Sequence, residues 1–264
     1  MISARINAER IVLLGWSRAI LLQLAHPLVA AGVADHSSFR EGRLTAALRL
    51  HDTVRAMLSL TFGTDAEREA TLARINGIHR RVNGTLRRET GPFASGTYYS
   101  AEDPALLLWV HGTLLESIPM VYERVVGPLS AGERDDYCRE SAPVVRALGV
   151  QGDVPESWEA LRAYMSAMYA GGTVVVGDAA RALAPAVLAP PFAWLVAPVA
   201  RVNRLFAVGL LPPAIRAQYG FAWRARDEAA LERWTRILRR VRAHAPKSLA
   251  FWADARGPRG TATR

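Results

Sequence analysis

Apolar residues recur at three- and four-residue spacing along most of the 264-residue chain, whereas the alternation typical of strands is nearly absent. We therefore predict an all-α fold: a single large helical domain over residues 1–256, with helices packed around a buried pocket, and a disordered tail at 257–264. Hydrophobic residues make up 50% of the chain, which is enough to bury a sizeable core without disulfide bonds.

Cap and stop signals set the expected helix bounds. The predicted helices span roughly residues 8–31, 43–62, 65–86, 104–115, 131–148, 157–169 and 228–242, with loops at 35–38 and 87–100. The apolar stretch 182–200 contains four prolines, which a membrane-spanning helix rarely tolerates. We predict that this stretch is irregular and is either buried or in contact with a membrane.

The net charge of +9 comes almost wholly from arginines spread along the chain, since Lys247 is the only lysine. Nucleic-acid binding proteins usually gather their basic residues into a stripe, so no nucleic-acid partner is expected. The lone cysteine, Cys138, excludes a disulfide framework and cysteine-based metal clusters. Without a recognisable secretory signal, the predicted location is cytoplasmic, and attraction to anionic membrane surfaces stays open as a peripheral contact.

Three of the six histidines fall on apolar helical stripes: His26 on the first predicted helix, His79 on the third and His111 on the fourth. Burying an imidazole costs free energy unless its ring nitrogens find partners. A single histidine of this kind is usually bonded to backbone or to another side chain. Three of them on separate helices favour a shared polar object at the helix junction, which is a metal, a haem or a buried hydrogen-bond network.

Two kinds of metal site are disfavoured because the chain lacks their sequence motifs. It contains neither a Glu-x-x-His pair for a di-iron site nor a His-Glu-x-x-His zinc motif. Haem needs an axial histidine, an apolar pocket and partners for its propionates, for which Arg40, Arg43, Arg49 and Arg80 are candidates. Haem is therefore the better fit, and a non-haem metal held by the three histidines is the alternative.

Two further positions combine polar chemistry with an unusual place in the pattern. Thr53 lies on a predicted apolar stripe of the second helix, where its hydroxyl either bonds the backbone one turn back or faces a ligand. His36 follows Asp35 in a predicted loop, where helix capping and proton handling are both open interpretations.

An ordered series of motifs runs along most of the chain. It comprises LAHPLVAAGV at 24–33 with DHS at 35–37, TFG at 61–63, IHRRVNG at 78–84, residues 99–104, LWVHGTL at 108–114 and residues 210–220. In this series the chain resembles the mpaB-like and rubber-oxygenase (latex clearing protein) family. The resemblance implies an all-α fold around haem b and, for the rubber oxygenases, cleavage of a carbon–carbon double bond by dioxygen.

By position, the resemblance makes His79 the axial iron ligand and aligns residues 49–53 with a segment that reads Arg-x-x-Lys-Thr in those enzymes. Arg49 and Thr53 match this segment and are candidate cofactor contacts. Asp52 stands where those enzymes have the lysine, so a lysine-bound resting state is not expected and polyisoprene is not implied as the substrate. His26, His36 or His111 is then a candidate for the opposite side of the haem.

The expected function is that of a haem b-dependent oxygenase that uses dioxygen on a hydrophobic olefinic, prenyl or lipid-like substrate. Asp35 and His36 are the candidate catalytic residues, because a histidine near neutral pKa can give or take a proton. His111 is the main rival of His79 for the axial position. The alternatives are a non-catalytic haem protein, a non-haem metalloprotein and a cofactor-free scaffold that docks lipids or partner proteins.

Overall fold

Helices make up nearly all of the regular structure. The computed structural model describes residues 1–36, 43–188 and 197–256, with side chains throughout except at 43–51, 197 and 256. The α-helices are, in chain order, α1 (Ile2–Asn7), α2 (Leu13–Leu24), α3 (Pro27–His36), α4 (Arg43–Phe62), α5 (Asp65–His79), α6 (Pro104–Val125), α7 (Ala131–Ala147), α8 (Trp158–Ala170), α9 (Asp178–Leu188), α10 (Ala197–Gly209), α11 (Pro213–Gln218), α12 (Ala225–His244) and α13 (Lys247–Ala250). Arg10–Val12 and Ala253–Arg256 are short 3-10 turns.

Between α5 and α6 the chain forms a two-stranded antiparallel ribbon, β1 (Asn83–Thr85) and β2 (Tyr98–Ser100), with Gly84 opposite Tyr99. It is the only sheet among the residues that the structure describes. The predicted all-α class is therefore confirmed, and the ribbon replaces part of a predicted loop.

The starts of three helices follow directly from their capping residues. Thr64 before α5 and Ser130 before α7 each accept a hydrogen bond from the backbone of a glutamate three residues on, and that glutamate bonds back. Asp103 accepts a bond from the Ala105 amide ahead of α6, with Pro104 in the first turn. These caps satisfy amide groups that would otherwise lack partners, so the predicted starts at these positions are confirmed.

The predicted single helix over residues 8–31 is wrong, because the chain breaks into α2 and α3, whose axes are bent by 104°. Pro27 explains the break: it cannot donate the backbone bond that would continue α2, and it disfavours helical geometry at His26. The helical conformation also continues beyond the end predicted at residue 31, since α3 extends to His36. Asp35 and His36 consequently lie on the last turn of a helix and not in a loop.

Three other predicted boundaries also change. The third helix ends at His79 and not near residue 86, because residues 83–85 join the ribbon. The fourth continues through Pro119 to Val125. Residues 182–188 of the stretch predicted to be irregular belong to α9, whereas 189–196 and the predicted tail at 257–264 lie outside the described residues.

The centre of the molecule is the contact between α2 and α6. A Cβ on Gly15 would lie 2.6 Å from the Ser117 carbonyl oxygen, so only glycine permits the two backbones to approach this closely. Arg18, only 2% exposed, crosses this contact. It donates to the Leu210 carbonyl at 2.7 Å and the Ser117 hydroxyl at 2.6 Å, and it pairs with Glu116 at 2.8 Å.

The Tyr169 hydroxyl also donates to Glu116, at 3.0 Å. We call Arg18, Glu116, Ser117, Tyr169 and the Leu210 carbonyl the Arg18 network. It links α2, α6, α8 and the end of α10 through charge-assisted hydrogen bonds within the core.

One helix, α6, is long and apolar enough to cross a membrane, and the bent pair formed by Arg10–Leu24 and α3 passes the same test if it is taken as one span. In α6, however, 61% of the apolar window is buried inside the protein, as expected of a core helix. Length and composition are therefore weak evidence for a membrane span in the part of the chain that the structure describes.

Candidate functional site

The candidate site lies where α3, the end of α5 and the β1–β2 ribbon meet the start of α6. His26, Asp35, His36 and His79 all lie around this ribbon, at the ends of helices and not in their middles. Helix α3 packs on the ribbon at Gly32, where a Cβ would lie in ordinary contact distance of the Tyr99 ring, at 3.6 Å.

His26 occupies the corner between α2 and α3 and is 5% exposed. Its Nδ1 is buried and has no hydrogen-bond partner, while its ring centroid lies 5.3 Å from that of Phe93. Burial lowers the pKa of His26 to about 4, and the charge of Asp103 opposes this shift. The imidazole is therefore neutral at physiological pH.

His79 ends α5 and is half-buried, with an Nδ1 that is shielded from solvent and has no hydrogen-bond partner. Burial lowers its pKa, against the opposing charge of Glu102. Glu102 and Asp103 are neighbours just before α6, so the two orphaned histidines lie near the same turn. Each has the neutral form in which an imidazole binds a metal.

The face of α5 that carries His79 is less buried than predicted. Leu72 and Ile75 are half-buried, Ile78 is 43% exposed, and Thr71 is the buried residue of the helix. The predicted core stripe through His79 is thus a partly open apolar surface. Such a surface suits an apolar ligand better than it suits water.

Asp35 and His36 are fixed by the ribbon. Asp35 accepts a hydrogen bond from the Tyr99 hydroxyl at 2.9 Å and pairs with Arg87 at 2.7 Å. His36 Nε2 lies 2.7 Å from the Asn83 carbonyl oxygen, to which it donates. In a neutral His36 this bond places the proton on Nε2 and leaves Nδ1 as the acceptor.

Tyr99 is a site residue that the histidine pattern did not reveal. It is 2% exposed, and burial, followed by its hydrogen bond to Asp35, raises its pKa to about 12. A Cβ on Gly84, its partner across the ribbon, would lie 2.6 Å from the Tyr99 hydroxyl, so glycine there makes room for the ring. The only sequence signal for Tyr99 was its place in the motif at 99–104.

His111 lies on α6, apart from the ribbon. Its Nε2 is buried without a hydrogen-bond partner, and burial lowers its pKa to about 4. The next residue, Gly112, packs against Tyr164 and Met165 of α8. No hydrogen bond or ring contact joins His111 to His26 or His79 among the side chains described.

The predicted convergence of three histidines on one metal is therefore not seen. Within the described part of the chain, no three His, Cys, Asp or Glu side chains form a metal-ligand group. This arrangement offers no support for the non-haem alternative built on His26, His79 and His111.

The remaining predicted contacts are placed only in part. Thr53 is exposed on α4, and Val54 and Leu58 are the buried positions among its described side chains at 52–62, so the predicted place of Thr53 on a core stripe is wrong. The Arg49 side chain and all of Arg40 lie outside the described residues.

Two clefts open elsewhere on the surface. One of about 530 Å³ lies between α7 and α8, and another of about 420 Å³ lies between α9 and α10. Neither is lined by a histidine. A macrocycle held by His79 would lie outside both clefts, against the partly open face of α5.

Comparison with known proteins identifies the family to which the chain belongs. Neither a curated protein sequence nor a solved structure matches the chain. A family model described as "ER-bound oxygenase mpaB/B'/Rubber oxygenase, catalytic domain" matches residues 4–240, which include the ribbon and all the predicted site residues. The chain belongs to this family of oxygenase catalytic domains.

Proposed function

We propose that this protein is a haem b-dependent oxygenase that acts with dioxygen on a hydrophobic olefinic, prenyl or lipid-like substrate, and that His79 is the axial ligand. The observation that carries the proposal is the buried, unpartnered Nδ1 of a neutral His79 beside a partly open apolar face. Membership of an oxygenase family supports the reaction class.

The donor chemistry of this region fits a haem. A histidine whose pKa is lowered by burial presents a neutral imidazole, and an apolar face can cover a macrocycle. When bound, a haem would supply the redox chemistry with dioxygen that the side chains cannot provide. The chain itself would supply the His79 imidazole that holds the haem, an apolar surface against the macrocycle and the groups that move protons.

Asp35 and His36 are the proposed proton-handling pair. The bond from His36 Nε2 to the Asn83 carbonyl leaves Nδ1 as a proton acceptor. Tyr99 and Arg87 hold the Asp35 carboxylate in place, since one donates a hydrogen bond to it and the other pairs with its charge. Tyr99 keeps its proton under ordinary conditions, because its pKa is raised to about 12.

The first test is the cofactor itself. The protein is purified from haem-supplemented cells, and absorption spectra of the oxidised and dithionite-reduced forms are combined with a pyridine haemochrome assay. We expect a Soret band and near-stoichiometric haem b in the wild type. A colourless protein that also refuses added haemin would overturn the proposal.

The axial assignment is tested by three single variants. His79→Ala is expected to lose most of its haem, whereas His111→Ala and the control His244→Ala, an exposed histidine on α12, keep it. Loss of haem in His111→Ala with retention in His79→Ala would overturn the assignment and move the ligand to α6. Circular dichroism confirms that each variant is folded.

The reaction is tested on the haem-loaded protein. Oxygen uptake with a panel of prenyl, fatty-acid and aromatic-terpenoid olefins is expected to show turnover that depends on both haem and substrate. A haem-loaded protein that consumes no oxygen with any of them would overturn the oxygenase proposal and favour a haem carrier or sensor.

A further inference from the structure

The outward side of α12 combines arginines with exposed aliphatic side chains. Ile237 is 38% exposed and Val241 is 59% exposed. Because residues three and four apart share one side of a helix, these two lie beside Arg233, Arg236 and Arg240. We call these five residues the α12 face. The other side of the helix, which carries the buried Leu231, packs on α6 and α10.

Two other arginines of α12 hold the helix to the protein. Arg239 donates to the backbone carbonyls of Glu123 and Arg124 at the end of α6. Arg242 pairs with Glu9, which is 2% exposed. By contrast, Arg233, Arg236 and Arg240 are exposed and make no side-chain hydrogen bond or ion pair with any described residue. Their charges are therefore free to act on a partner.

The charge of this region is uniform. From residue 233 to residue 252 the chain has six basic residues and no acidic one. The short helix α13 extends the same character with Lys247 and with Leu249, which is 66% exposed. It lies near the end of α12, since the Arg242 guanidinium sits 4.8 Å from the centre of the Phe251 ring that follows α13.

The geometry points to an anionic membrane surface as the partner of the α12 face. Aliphatic side chains that insert among acyl chains, bracketed by arginines that reach lipid phosphates, are the features of a helix lying in a membrane interface. A second copy of the chain is disfavoured, because two such faces would bring like charges together. Nucleic acid would use the arginines but would gain nothing from the exposed Ile237 and Val241.

This inference does not depend on the proposed oxygenase. The family match ends at residue 240, so Val241, Lys247 and Leu249 are features of this chain outside the matched region. The contact would hold the protein at a surface where apolar molecules accumulate, whatever reaction it carries out.

The test is flotation of the purified full chain with two sets of vesicles, pure phosphatidylcholine and phosphatidylcholine with phosphatidylserine. We expect binding to the anionic set only. Since each basic residue near such a surface contributes about fivefold in affinity, Arg236→Gln/Arg240→Gln should weaken binding by about 25-fold. The matched control Arg74→Gln/Arg162→Gln removes the same charge from exposed positions on α5 and α8 and should bind like the wild type.

The apolar part is tested by Ile237→Gln/Val241→Gln, which should weaken vesicle binding most clearly at high salt, where charge attraction is screened. Unchanged binding in this variant, together with competition by duplex DNA or RNA, would overturn the membrane proposal in favour of a polyanion site. Absence of wild-type binding, or equal losses in the two arginine pairs, would also overturn it. Circular dichroism checks that all variants are folded.

Discussion

The Arg18 network and the region around the ribbon both bury polar side chains, but they treat them differently. In the network each guanidinium nitrogen of Arg18 donates a hydrogen bond, and Glu116 accepts bonds from both Arg18 and Tyr169. Near the ribbon, His26 and His79 each keep a buried ring nitrogen with no partner. Folding usually satisfies its buried polar groups, so the bonded network serves stability, whereas the two unpartnered imidazoles near the ribbon are candidates for ligand binding.

The largest expected change in stability comes from the Arg18 network, whose polar groups are hydrogen-bonded. Arg18→Leu leaves Glu116 without its charge partner and with only the Tyr169 hydrogen bond, and breaking a buried ion pair in this way typically costs about 3–5 kcal/mol of unfolding free energy. Urea denaturation measures it. The control Arg134→Ala breaks an ion pair with Glu123 in which the two side chains are 33% and 23% exposed. It should cost no more than about 1 kcal/mol. Equal losses of unfolding free energy in the two variants would show that the Arg18 network stabilises the fold no more than a partly exposed ion pair does.

The second prediction concerns the orphaned histidines and pH. The pKa values of His26 and His111 lie at about 4 in the folded protein, below the ordinary value of 6.5. Between these values the unfolded chain binds more protons, so stability is full above pH 6.5 and falls as the pH drops towards 4. For each of these two histidines, the free energy of unfolding falls by about 3 kcal/mol between pH 6.5 and pH 4.

Urea midpoints measured from pH 7.5 down to 4 check this prediction. His111→Leu should flatten the curve clearly but not completely, since it removes one of the two largest histidine contributions and leaves those of His26 and His79. His244→Leu, which alters an exposed histidine, should keep the curve of the wild type. A curve in His111→Leu as steep as in the wild type would show that this ring is not held neutral by burial.

The third prediction tests the close approach that brings the network together. Gly15→Ala places a methyl group 2.6 Å from the Ser117 carbonyl oxygen, and such overpacking costs about 1–3 kcal/mol. Gly132 on α7 is the matched control, because a Cβ there meets nothing within 4 Å. Gly132→Ala should raise stability by up to about 1 kcal/mol. Similar effects of both changes on the thermal midpoint would mean that α2 can move away from α6.

The sequence predicted the parts of the fold that depend on local signals. The starts of α5, α6 and α7 followed from Thr64, Asp103 and Ser130, whose side chains bond amides within the same turn. The prediction that His26 is buried was also correct. Its predicted place within a continuous helix was wrong, because Pro27 breaks the helix and puts His26 at the corner between α2 and α3.

The site was harder to predict because its contacts join distant parts of the chain. Tyr99 reaches Asp35 across 64 positions, and Arg87 does so from the other side of the ribbon. Helical periodicity carries no information about such pairs. For the same reason, helical periodicity predicted Thr53 on a buried stripe, whereas tertiary packing leaves Thr53 exposed.

The smallest expected change in stability comes with the most informative change in activity. Asp35→Asn keeps an oxygen for the Tyr99 hydroxyl and loses an ion pair whose Arg87 side chain is 78% exposed, so unfolding free energy should fall by less than about 1 kcal/mol. If Asp35 handles protons, turnover by the haem-loaded protein should fall by about 10²–10⁴. Asp136→Asn removes a comparable exposed ion pair on α7, with Arg139, and should leave turnover unchanged. Equal turnover in the two variants would show that Asp35 has only a structural role. Lower turnover in Asp35→Asn at equal stability would show that Asp35 acts in the reaction and not in folding.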